Sequence, residues 1–382
     1  MPMLTPDHLS IRSLARDFAS GEVRPHAEEW ERQGAIPRAV VDQLAKMGFL
    51  GMLVPEEYDG LGLDETSYLV ALEQIAWGDA SVAVAMSVHN SLPTRMLLSH
   101  GTFAQKERWL KPMARGEMLG AFALSEADAG SDAASITSQA RRGDGGWILN
   151  GSKAWVTNGG LADVAIVMCR SDDPSERKGT AGIAAFIVPT DTPGYVVGKK
   201  EDKMGQRASE TVSVALDNLF LPDEHLLGDP ARGLFIALEG LAHGRMGIAA
   251  VALGIAQAAL DHAVAYADER VQFGQPIREF EGIRFKLADM ATRIEASRAL
   301  LLAASEAVGP DGAPVLRLSS MAKLFASETA MFVTTQAIQV FGGYGYMRDF
   351  PVERLFRDAK VTEIYEGTSE IQRLVIAREL YR

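Results

Sequence analysis

Hydrophobic spacing divides the chain into three textures. From residue 1 to about 117, apolar positions recur every three or four residues, in Leu9, Ile11 and Leu14 and again in Val40, Val41, Leu44 and Met47, which predicts helices with one buried stripe. The stretch 81–98 is apolar on most sides and reads as a buried helix bent or broken at Pro93. Residues 103–115 are amphipathic, and Gly116 stops them. Between about 119 and 226 the period falls to two. Thr211 to Leu216 alternates, 164–168 is an apolar run of the kind buried on both faces, and Gly143-Asp144-Gly145-Gly146 is a hairpin signal. From Gly233 the helical period returns. Segments 244–271, 282–308, 317–341, 351–365 and 369–380, with a turn at 309–314, suit an antiparallel four-helix bundle plus a terminal helix. The expected class is α+β, mostly α: an N-terminal helical domain (1–117), a β-barrel-like middle domain (118–227) and a C-terminal helical bundle domain (228–382).

Composition narrows the function classes. At 382 residues, 47% hydrophobic and 23% charged, the chain is neither disordered nor fibrous. The single Cys169 cannot form an internal disulfide or a zinc cluster, and seven scattered histidines without H-E-x-x-H offer no metal site. Formal charge is 38 − 50 = −12, a poor balance for binding nucleic acid or an anionic membrane. No uncharged apolar run of membrane length appears, and the start MPMLTPDHLS lacks the regions of a signal or transit peptide, so the expectation is a cytoplasmic protein. No G-x-S-x-G elbow suggests an acyl hydrolase.

Four stretches carry candidate chemistry. Phe122, Leu124, Ser125 and the small-residue run through Gly130, Ser131 and Asp132 lead a strand into a loop that can set backbone N–H groups and a hydroxyl against a phosphate or a flat polar ring; a turn-rich connection is the plain alternative. Trp155 and Thr157, two apart around Val156, share one side of a strand, as a ligand wall or as an ordinary core aromatic. Gln339, Val340, Gly342, Gly343 and Gly345 close a long helix with more glycine than a helix stop needs. In the fourth stretch, Ser369 and Gln372 fit a capping box and put Glu366 in the turn before a helix, where the helix terminus lowers its pKa and burial raises it; a general base or a surface capping residue both fit. Read singly, Arg245 and Arg270 are surface charges, Arg354 and Asp358 form an i,i+4 helix pair, and His89 is a core histidine.

Taken together and in this order, the stretches resemble the acyl-CoA dehydrogenases over nearly the whole chain, most closely the short-chain (butyryl-CoA) branch. Ser125-Glu126 through Gly130-Ser131-Asp132 is similar to the family's first signature. Gln339, Gly342, Gly343, Gly345, Asp349, Arg354 and Asp358 are similar to its second. The resemblance implies FAD between the middle domain and the bundle, held by Phe122, Leu124, Ser125, Gly130, Ser131, Trp155, Val156 and Thr157. Arg270, Phe273, Gln339, Val340, Gly342 and Gly343 would reach the FAD of a neighbouring subunit in a homotetramer, a dimer of dimers, while Thr368 and Glu370 complete the shell and Glu281 stands at a FAD-contacting position. It further implies an acyl-CoA substrate met by Ser131, Ala242, His243, Arg245 and Gly367, with no metal.

In the implied reaction Glu366 takes the α-proton, the β-hydrogen leaves as hydride to flavin N5, and the product is a trans-2-enoyl-CoA. The Glu366 N–H and a ribityl hydroxyl stabilise the enolate, and an electron-transfer flavoprotein takes the electrons. Gly244 stands where other branches carry their base, and Ala83 where the glutaryl branch has its arginine. Ala127-Asp128 replaces a common Pro-Gly, and Glu281 a common glutamine. An oxygen-using acyl-CoA oxidase and a non-catalytic CoA-ester binding protein of the same fold are the alternatives; compact length and the intact Glu366 favour the dehydrogenase.

Overall fold

The computed structural model describes residues 4–171, 182–309 and 312–381; Pro310 and Asp311 of the expected turn lie outside them. The N-terminal part is helical: α1 (Pro6–Phe18), α2 (Ala27–Gln33), α3 (Arg38–Lys46), α4 (Glu65–Gly78), α5 (Ala80–His89), α6 (Arg95–His100), α7 (Phe103–Gln105) and α8 (Lys111–Ala114). Pro93 neither breaks nor sharply ends the buried helix. It sits inside a π-helical turn, Asn90–Thr94, that joins α5 to α6, where the wider ladder tolerates a missing N–H. His89 is the core histidine expected. It is fully buried, its Nε2 faces the Leu50 and Met113 carbonyls at 3.1 and 3.2 Å, and its Nδ1 accepts the Gly120 N–H at 3.0 Å. Burial pushes its pKa down to about 4, so the ring stays neutral and ties the helices to the first strand.

The middle part holds β1 (Gly120–Ala123), β2 (Gln139–Gly143), β3 (Gly146–Thr157), β4 (Val164–Ser171), β5 (Ile183–Pro189), β6 (Tyr195–Lys200), β7 (Thr211–Pro222) and β8 (Leu226–Leu227). They form one sheet in the order β6-β7-β3-β2-β4-β5-β8, with β1 parallel to β4. Gly143 pairs with Gly146 across the predicted Asp144-Gly145 turn. The apolar run in β4 is continuous because both its faces are covered. Val164, Ile166 and Met168 pack towards the helices, while Ala165, Val167 and Cys169 fill the core of the β part.

The C-terminal part is a bundle of α9 (Gly233–Glu269), α10 (Glu281–Glu306), α11 (Leu316–Phe341) and α12 (Pro351–Lys360) with the terminal α13 (Ser369–Glu379); a small hairpin, β9 (Val271–Gln272) and β10 (Gln275–Pro276), follows α9. Helix α9 begins at Gly233, where the helical period returns, and so extends the 244–271 segment towards the N-terminus; its first turns expose Phe235 and Leu238. It is long and apolar enough to cross a membrane by length and composition, but 72% of that window is buried against the rest of the protein. Helix α12 ends at Lys360 instead of running to 365. The Thr362 hydroxyl donates to the Ala359 carbonyl at 2.6 Å, and a single 3-10 turn, Val361–Glu363, takes over.

Candidate active site

The turn between α12 and α13 gives Glu366 an unusual backbone. Its φ is +52°, a left-handed conformation that costs a non-glycine residue energy, and Gly367 follows at +94°. Neighbouring side chains pin this strained pair. Gln372 Nε2 donates to the Gly367 carbonyl at 2.8 Å and to the Glu366 carbonyl at 3.3 Å, and Lys323 Nζ donates to the Gly367 carbonyl at 2.8 Å. The expected capping box is therefore shifted. Thr368, not Ser369, is the N-cap, its hydroxyl accepting the Ile371 N–H, and Gln372 serves the turn's carbonyls instead of a cap N–H.

The Glu366 carboxylate is enclosed. Its Oε2 is buried without a hydrogen-bond partner among the described residues, and a Cβ on Gly244 of α9 would stand 1.8 Å from it. Only glycine leaves room there. Burial pushes the carboxyl up to about 7 against the opposing pull of the Lys323 and Arg245 charges. The carboxylate thus lies near the balance point of a base at neutral pH. Among the described residues no hydrogen bond takes up the Glu366 N–H, which leaves it as an unused donor. Tyr365, next in the turn, is held by Gln206 of the β part at 3.2 Å and packs in one cluster with Phe122 and Leu124.

The β side presents a braced loop. Glu126 and Ala129 exchange two backbone hydrogen bonds, so Ala127-Asp128 closes as a tight two-residue turn without the usual Pro-Gly. Burial alone would raise the Glu126 pKa. Lys153 at 2.7 Å, with N–H groups of Ser138 and Thr137, outweighs that and holds it at about 2. Lys153 is itself wholly buried and also reaches the Leu124 carbonyl. On β3 a bulge between Lys153 and Val156 gives Trp155 a φ of +55° and leaves the ring 56% exposed. The core-aromatic reading of Trp155 fails for that reason. Thr157 lies on the same open side, but the Val156 side chain is buried in the β core, so only its backbone is available.

The remaining candidates fall into separate places. Ala242 and Arg245 flank Gly244, and Arg245 is buried, donating to Ser320 at 3.2 Å; it is not the surface charge expected from its neighbourhood. His243 is buried beside Glu65, its Nδ1 3.6 Å from that carboxylate, because successive helix residues diverge by about 100° and Gly244 is the one facing Glu366. Among the described residues no ion pair within 4 Å joins Arg354 to Asp358; Asp358 is buried and accepts the Gln206 N–H instead. Arg270, Val340, Gly342 and Gly343 line a different cleft of about 480 Å³ with Tyr266 and Gln272. Phe273 stands 94% exposed on the nearby hairpin, and Gln339 and Glu281 are exposed too. Glu370 is exposed on the first turn of α13.

These surfaces fit a large, flat, anionic cofactor. A Cβ on Gly130, Gly342 or Gly343 would meet nothing within 4 Å, so all three backbones lie open to a ligand, and the exposed indole of Trp155 offers a stacking face held in place at the cost of backbone strain. Sequence reasoning missed the bracing residues Lys153, Gln206 and Lys323, and it gave Gln372 a capping role instead of a brace on the turn. A lysine within an alternating strand or an apolar helix was the only available signal.

Three family models match the chain in succession: the acyl-CoA dehydrogenase N-terminal domain over 5–117, the middle domain over 121–219 and the C-terminal domain over 231–381. An acyl-CoA dehydrogenase of Bacillus subtilis (strain 168) is 47% identical over 377 residues, covering 99% of this chain and 98% of that protein. The butyryl-CoA dehydrogenase structure from Megasphaera elsdenii is 43% identical with a TM-score of 0.96, covering 100% of this chain and 99% of that one. A chain solved in work on the electron transferring flavoprotein of Acidaminococcus fermentans and flavin-based electron bifurcation is also 43% identical, with a TM-score of 0.97 and complete coverage of both chains.

Proposed function

The chain belongs to the acyl-CoA dehydrogenase family, flavin-dependent oxidoreductases that use FAD, and from that premise we propose that it converts a short-chain acyl-CoA to the trans-2-enoyl-CoA with Glu366 as the base. The observation that carries this reading is the enclosed, unpartnered Glu366 carboxylate, poised near neutrality over Gly244. A thioester carbonyl acidifies the α-carbon, and a base of matched pKa abstracts that proton. As negative charge moves to the carbonyl oxygen, the free Glu366 N–H is the chain's donor for it. Arg245 and Lys323 favour the ionised base before the transfer.

The loop 125–131, Trp155 and Thr157 would hold the flavin, and Arg270, Gly342 and Gly343 the cofactor of a neighbouring subunit in a homotetramer. When bound, FAD supplies the hydride acceptor for the β-hydrogen. Electrons then leave to an electron-transfer flavoprotein; the similarity to the chain from the Acidaminococcus fermentans work supports that partner. Similarity to the Megasphaera elsdenii enzyme supports a butyryl-sized acyl group.

Glu366→Gln tests the assignment. The variant should purify with FAD, yet its flavin absorbance should not bleach on anaerobic addition of butyryl-CoA. Bleaching at the unsubstituted rate refutes the role of Glu366. Oxygen uptake without an added acceptor would point to an oxidase.

A further inference from the structure

Lys323 lies within α11, with its side chain completely buried. Burying an ammonium group is costly, and such groups are retained where they are paired or needed. Here, among the described residues, Lys323 makes no ion pair within 4 Å and one hydrogen bond, the 2.8 Å contact to the Gly367 carbonyl. Removing it would leave the strained turn held by Gln372 alone. The charges around it come from every element packed on the site: Glu366 in the turn, Arg245 on α9, Glu363 on the 3-10 turn and Glu370 on α13. Tyr68 of α4 and Tyr365 also face Glu366, and both remain protonated well above neutral pH because they are buried.

We propose that Lys323 is a positioning residue for the reaction: it locks the left-handed Glu366–Gly367 turn through the Gly367 carbonyl, and its charge keeps the Glu366 carboxylate ionised for proton abstraction. The proposal rests on Glu366 being the base. Two features single out Lys323 from a merely structural lysine. Its one hydrogen bond goes to the residue after the base. Its charge is also the largest influence opposing the effect of burial on Glu366, ahead of Arg245. Burial pushes Lys323 itself down to about 8, which still leaves it mostly charged near pH 7.

Two variants of the FAD-loaded enzyme separate the charge from the hydrogen bond. Lys323→Gln keeps a donor and loses the charge. Lys323→Met loses both. In each, the pKa governing kcat/KM should rise by about one unit or more, because a nearby opposite charge has been removed. That would lower kcat/KM at pH 7 by about fivefold for the first unit, approaching tenfold for each further unit, and restore it at high pH. Lys323→Arg should return the profile towards that of the unsubstituted enzyme. Flavin content and thermal midpoint monitor folding, and Lys323→Gln carries the test if Lys323→Met does not fold. A fall in activity with no movement of the pKa would reduce Lys323 to packing and overturn the proposal. Continued bleaching in Glu366→Gln would instead overturn the base assignment on which it rests.

Discussion

At the residue scale, the proposed chemistry rests on one carboxylate and the room left for it. Glu366 is driven towards neutrality by burial, with Lys323 and then Arg245 pulling the other way. Since the base must be ionised to accept a proton, kcat/KM with a short-chain acyl-CoA should rise with pH through about 7 and level off above it. A rate governed instead by a group near 4.5, the ordinary carboxylate value, would show that substrate-free burial does not set the base. Gly244 tests the space. A methyl there would overlap Glu366 Oε2, so Gly244→Ala should push the carboxylate aside and cut kcat/KM by about 10²-fold while flavin content stays unchanged. Activity close to the unsubstituted level would mean that the carboxylate points elsewhere in the working enzyme.

At the element scale, the loops proposed to meet the cofactor are held from behind. The 125–132 loop stands on the Glu126–Lys153 pair, which crosses from the loop to β3 and is shielded from solvent. Breaking such a pair strands a charge, so Lys153→Met should lose about 3–5 kcal/mol in chemical denaturation. The same variant should release FAD more readily, because the Leu124 carbonyl and Glu126 lose their anchor. Full flavin retention alongside the stability loss would separate the brace from the cofactor surface. The bulge on β3 works in the same way, trading ladder regularity for an outward Trp155. Hydrophobic alternation foretold the strand and its inner residues. It carried no mark of the bulge, because a left-handed residue is imposed by neighbours and not by local preference.

At the scale of the whole molecule, α12 is where the three parts meet. Arg357 donates to Glu353, to the Met204 carbonyl of the β part and to Glu31 of α2. A Cβ on Gly205 would come within 2.2 Å of the Arg357 carbonyl, a measure of how closely the β part approaches. Beside them Asp358 is pushed up to about 7 by burial and then by Asp79. Its folded pKa exceeds the ordinary 3.8, so the fold favours the protonated acid, and stability falls as pH rises from about 4 through 7. Asp358→Asn removes the titration. It should gain stability over the unsubstituted protein above about pH 7 and lose that advantage below about pH 4, by urea denaturation across pH. A stability difference independent of pH would place the charge of Asp358 in another state.

Much of this was legible in sequence because it depends on near neighbours. Periodicity of 3.6 and of 2 set out the helical, β and helical order, and the glycine pairs located the β2–β3 turn. The family resemblance, carried by motif order and spacing, singled out Glu366 and the glycine-rich loops as candidates. Other features depend on groups far apart in the chain, and only the tertiary structure decided them. The pKa of Glu366 comes from burial under α9 and from a lysine 43 positions away (366 − 323), whose role no local pattern announces. Arg245 looks like a surface charge in sequence and Asp358 like half of a helix pair, yet both are buried, since burial is a property of what packs on a residue. Sequence by itself determined which elements form and which carboxylate is available. Folding determined that carboxylate's surroundings, and electrostatics acts through space, not along the chain.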